Sequence, residues 1–183
     1  MILGFLAYDF KLRLDQLNHT VTYTHITAIK PEGLRIADTP PQFNVKAWLI
    51  DKNTGEVKAY YETHNNLTTT GRDDFIIQTL FNTSLNPAKY IAIGNGTDNG
   101  DPHDNTALVN EIDRQLATFY VPQAGQAGLN ATFTFTYPVN VTEAGVVNSA
   151  SGGILVFYVN DWLLQCDPNT SLKISWIVTV SGN

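Results

Sequence analysis

The chain has 183 residues, a formal net charge of −6, a hydrophobic fraction of 43% and only 15% charged residues. That supplies enough apolar material for a core and too little charge for a disordered chain, a coiled coil or a long solvated helix. The acidic balance, without a run of Lys or Arg, disfavours a nucleic-acid partner because such a surface repels phosphate.

In chain order, the first segment reads MILGFLAYDF. Its apolar run has no basic start and breaks at Asp9, which is short for a secretory signal and far below the ~20 apolar residues of a membrane helix. The expectation is synthesis in the cytoplasm, no signal peptide and no membrane insertion. Ile2, Leu3, Phe5 and Leu6 are then an apolar strand or an assembly arm. VTYTHITAI (21–29) is β-branched and aromatic and predicts a strand, and Pro40-Pro41 breaks the stretch that follows. FNVKAWLID (43–51) and EVKAYYET (56–63) flank Lys52-Asn53-Thr54-Gly55, the pattern of a β-hairpin. Residues 1–64 are read as an N-terminal β-rich attachment region.

From residue 65 the pattern changes. LTTTGRDDFIIQTLF predicts one short helix near 71–81, capped at Thr70 or Gly71, with Asp73 and Asp74 at its positive end. Ile77, Leu80 and Phe81 fall at i, i+3, i+4 and predict its buried face. YIAIG enters a long loop at 94–106, and NTALVNEIDR predicts a further helical turn or two. In ATFTFTY, Ala131, Phe133, Phe135 and Tyr137 alternate with threonines, the mark of a half-buried strand. GILVFYVND reads as a central strand, and Leu172, Ile174, Trp176, Val178 and Val180 share one face of the last. Several strands, turn signals and one helix predict a mainly β chain, an antiparallel β-sandwich.

The loop of 94–106 holds the motifs closest to chemistry. Gly94, Gly96 and Gly100 are spaced one residue too widely for a dinucleotide fingerprint, and no helix begins at them. Asp98, Asp101 and Asp104, with Asn99, Asn105 and Glu111, are candidate oxygen ligands for Ca²⁺, but the EF-hand order is absent and a solvated turn-rich loop is the favoured alternative. No P-loop, no Gly-x-Ser-x-Gly elbow and no paired-histidine spacing occurs. Cys166 is the only cysteine, so no intrachain disulfide forms, and its neighbour Asp167 opposes thiolate chemistry. Glu143 is the one acid between Arg114 and Asp161, with a strand-end ion pair to Arg114 as its expected role. No cofactor and no catalytic residue is expected. Trp48, Tyr60 and Tyr61 are the one reasonable aromatic platform for a sugar, weighed against plain core packing.

The order of these features carries a resemblance. Asn66–Thr69, Gly71-Arg72, Tyr90–Gly94, Asn105–Arg114, Glu143–Val147 and Leu172–Val178 occur in the sequence of a small β-rich domain common in structural proteins of tailed phages. Such proteins are tail fibre, baseplate or minor tail components. The chain departs from the family pattern at Asn95, where threonine is usual, and at Asn105, where aspartate is usual. The resemblance spans roughly residues 65–183 and implies a phage-structural β-sandwich module without catalysis. It implies a virion location, a homo-oligomer, other virion structural proteins as partners and a possible host-surface glycan. Gly94, Gly96, Gly100, Glu111 and Arg114 then serve a structural loop, its glycines allowing tight turns, some at positive φ. A capsid decoration or head-fibre protein and a carbohydrate-binding receptor-recognition module are the rival readings.

Overall fold

The computed structural model describes residues 42–80, 84–98 and 100–180. The assembly arm (Ile2, Leu3, Phe5, Leu6) and the strand expected at 21–29 lie outside them. Twelve strands are present among the described residues, all paired antiparallel. The first sheet has the order β2 (Val57–His64), β1 (Gln42–Asp51), β12 (Thr170–Thr179), β7 (Gln126–Thr134), β6 (Thr118–Tyr120). The second has the order β3 (Asn66–Leu67), β10 (Leu155–Val159), β9 (Glu143–Val147), β4 (Tyr90–Gly94), β5 (Glu111–Leu116). A small third sheet pairs β11 (Leu164–Cys166) with β8 (Val139–Val141).

Period two decides which side chains meet between the sheets. Val45, Ala47 and Leu49 of β1 are buried, and their register partners are Trp176, Ile174 and Leu172 of β12. Those three face Leu129, Ala131 and Phe133 of β7. Ile174 thus lies between two alanines and Trp176 between two aliphatic residues, so large and small side chains alternate across the layer. Ile91, Ile93, Ala144, Val146, Phe157 and Val159 close the same core from the second sheet. The mainly β antiparallel sandwich is therefore the observed architecture.

The central strands of the second sheet, β10, β9 and β4, are buried on both faces. The outer face of the sheet carries Ala92, Val147, Leu155 and Tyr158, covered by Leu108 from the loop after β4. A β-bulge between Leu155 and Phe157 shifts the phase of β10, which puts Leu155 and Tyr158 on that face and Phe157 and Val159 in the main core.

Several expectations change. The described residues form one compact unit, and β1 is in register with β12 along its full length. The division expected between residues 64 and 65 therefore runs through one sandwich, because the hairpin supplies two of the first sheet's strands. The helix is a π-turn, Gly71–Ile76, followed by Ile77–Thr79. Phe75 and Ile76 pack on the core, whereas Ile77 and Leu80 are exposed; widening to five residues per hydrogen bond rotates the expected face away. Thr70 makes no side-chain cap; Thr68 Oγ1 accepts the Gly71 N–H at 2.9 Å instead. The helical turn expected in NTALVNEIDR is absent. Glu111–Leu116 is strand β5, since pairing with β4 outweighs a weak local helix rhythm. Tyr137 and Val180 are exposed because β7 ends at Thr134 and β12 at Thr179.

Candidate functional site: a buried carboxylate and an aromatic outer face

β9 runs antiparallel to β4 with Glu143 opposite Gly94, the residue at which the chain leaves the sheet. Glu143 is completely buried on the outer face of the second sheet. Its Oε1 accepts the N–H groups of Gly96 (3.0 Å) and Asn110 (2.8 Å). Its Oε2 accepts the Val109 N–H (2.9 Å) and the Tyr158 hydroxyl (2.8 Å). The four donors match the roughly four acceptor sites of a carboxylate. One side chain therefore holds both ends of the 95–110 loop. Thr142 reinforces the near end, its N–H donating to the Gly94 carbonyl at 3.0 Å and its hydroxyl to the Gly96 carbonyl at 2.6 Å. Burial, then the hydrogen bond to Glu143, pushes the Tyr158 phenol well above its ordinary range.

The glycines now have a physical reason. A Cβ on Gly96 would lie 2.6 Å from Glu143 Oε1 and 2.8 Å from the Asn110 nitrogen, and one on Gly94 would strike the same carboxylate. Close backbone approach requires them. Positive φ does not, since the positive-φ glycines among the described residues are Gly55, Gly125, Gly152 and Gly153. Gly100 meets only the Asp98 carboxylate, which accepts its N–H at 2.8 Å.

The pair expected between Arg114 and Glu143 does not form. Arg114 makes a two-pronged pair with Glu111, Nε to Oε1 at 2.8 Å and Nη2 to Oε2 at 2.6 Å. Its Nη1 donates to the carbonyls of Ser149 (2.6 Å) and Gly152 (2.8 Å). Arg114 thus clamps edge strand β5 to the turn between β9 and β10.

The calcium candidates are not brought together. Asp98 Oδ2 accepts from the Asn105 amide at 2.6 Å, and Asp101 Oδ1 accepts the His103 N–H at 3.0 Å to start the short turn Pro102–Asp104. Among the described residues no group of three or more His, Cys, Asp or Glu is placed to hold a metal ion. Cys166 is buried, and that burial, with Asp167 nearby, pushes its thiol up to about 12.

The aromatic trio divides. Trp48 and Tyr60 are cross-strand neighbours with ring centroids 5.5 Å apart, on the face of the first sheet away from the core. Tyr61 is opposite Ala47, on the other face, and donates to the Leu163 carbonyl at 3.3 Å. Core packing, the alternative weighed for Trp48, is not its role: Val45, Ala47 and Leu49 take the core positions of β1.

Comparison with protein-family models, with curated proteins and with solved structures finds no match to this chain. The site is thus read from its own geometry. Sequence reasoning missed the role of Glu143, although one signal was present: an isolated acid inside an apolar strand needs several donors, and glycines bracket the loop opposite it. It also missed Asn65, whose buried Oδ1 accepts the Trp176 indole N–H at 3.0 Å. An apolar slot of about 150 Å³ opens against Phe119, Leu129, Phe157, Trp176 and Val178, and no titratable group lines it.

Proposed function

We propose that the chain is a structural protein of a tailed-virus particle, a tail-fibre or baseplate component that mediates assembly and host attachment as a homo-oligomer. One observation carries the reading. The residues that give the sequence its phage-structural resemblance, Gly94, Glu111, Arg114 and Glu143, are spent on fastening one loop and one edge strand to a sandwich. A module held this way presents a stiff surface, which suits a particle exposed to shear. The partners in this reading are further copies of the chain and other virion structural proteins. The location is the virion, following synthesis in the host cytoplasm. A head decoration or head fibre is the alternative position on the particle. The carbohydrate-binding reading gains support from Trp48 and Tyr60, which lie on an outer face.

Electron microscopy of purified particles labelled with an antibody against this chain tests the proposal. Label at the tail end is the expected result. Label over the head moves the protein to the decoration class, and particles without label refute the virion reading.

A further inference from the structure

Three neighbouring strands build the surface around Trp48. Tyr60 of β2, Trp48 of β1 and Lys173 of β12 are in register, so they form one row across the first sheet. Tyr60 is 47% exposed. Its hydroxyl donates to Glu62 Oε2 at 2.5 Å, and Glu62 is paired with Lys46 Nζ at 3.1 Å. The ring is thereby fixed at its hydroxyl end, and a fixed ring loses little conformational entropy when it takes a ligand. The Lys173 ammonium lies over the Trp48 ring, 5.6 Å from its centroid. Lys173 makes no ion pair among the described residues, unlike Lys46 with Glu62 and Lys58 with Asp51. The row is therefore an aromatic pair ending in a lysine without an ion pair among the described residues, on a chain whose net charge is −6.

We infer that this row is a binding site for an acidic saccharide, a sugar that carries a carboxylate. Aromatic faces take the apolar C–H face of a pyranose ring, and an ammonium without a carboxylate of its own supplies the complementary charge. Tyr60 supplies the exposed ring that stacks on the sugar, backed by the half-buried Trp48 between it and Lys173. Lys173 pairs with the sugar's carboxylate, and the Lys46–Glu62 pair at the rim offers hydrogen bonds to hydroxyls. The inference rests on the attachment part of the proposed function and adds the ligand class.

The test uses the full chain and two sets of probes of equal length: oligosaccharides bearing uronic or sialic acids, and neutral glucose oligosaccharides. Binding is read by tryptophan fluorescence and by calorimetry. The expected result is saturable binding of at least one acidic probe in preference to the neutral set. Lys173→Gln then weakens the acidic probe about tenfold or more while reducing the preference over neutral sugar, and Tyr60→Ala abolishes both. Circular dichroism and the melting temperature of each variant establish that it is folded. Absence of binding to every acidic probe overturns the inference, as does binding that Tyr60→Ala and Lys173→Gln leave unchanged. Neither failure touches the particle-labelling result, so the site and the virion reading fail separately.

Discussion

At the scale of single residues, the decisive group is Glu143. Replacing it with alanine orphans the N–H groups of Gly96, Val109 and Asn110 and the Tyr158 hydroxyl. A buried donor left unpaired costs about 1–3 kcal/mol, and the loop recovers part of that by moving into water. Glu143→Ala is expected to lose about 3–5 kcal/mol in urea unfolding. Glu143→Gln is expected to lose less, because its one carbonyl still serves two donors and Tyr158 can turn to accept. Gly96→Ala keeps every partner and still costs about 1–3 kcal/mol, since its methyl has no room against the carboxylate. Asp51 sets a second residue-scale prediction. Its hydrogen bond to Lys58, then those from the Asn53 and Thr54 N–H groups, lower its pKa from 3.8 to about 2. A folded value below the unfolded one stabilises the hairpin above the ordinary carboxylate range, and that contribution disappears as pH falls through about 2. A carbon-detected NMR titration checks this, with Lys58→Met expected to raise the midpoint.

At the scale of elements, strands were legible where one face is core and the other is water. β1, β2, β7 and β12 belong to the first sheet, and their alternation is visible as text: Ala131 and Phe133 against Thr132 and Thr134. The elements misread are those whose local residue pattern does not show the pairing that fixes them. β5 carries the spacing of a helix, and only its pairing with β4 makes it a strand. The helical turn kept its position but not its face, because Gly71 lies against the backbone of Val156, where a Cβ would meet the carbonyl oxygen. Arg114 shows the same limit: its place beside Glu111 in the structural loop is local and was expected, while the Ser149 and Gly152 carbonyls depend on where the β9–β10 turn lies. Arg114→Ala is therefore expected to cost about 1–3 kcal/mol and to speed amide exchange in residues 149–153 more than elsewhere. Glu111→Ala, which removes only the more exposed half of the pair, is expected to cost less than about 1 kcal/mol. Equal effects of the two substitutions would mean that the turn contacts contribute nothing.

At the scale of the whole molecule, the sandwich and the doubly covered centre of its second sheet put the loop of 95–110 in the position of a lid on hydrophobic residues, with Leu108 as its plug and Glu143 as its anchor. The fold class could be read from the sequence because period two and turn residues are local signals. The anchor could not, because it joins β9 to residues more than thirty positions away and only the folded register brings them together. The measurement that tests this most directly is native-state hydrogen exchange at the Gly96, Val109 and Asn110 amides, in the natural chain and in Glu143→Ala. The loop fastened by a buried carboxylate predicts protection of all three in the natural chain approaching that of the β4 and β9 amides, and its loss in the variant. Rapid exchange of these three amides in the natural chain, at the rate of the exposed Asn53 turn, would contradict it.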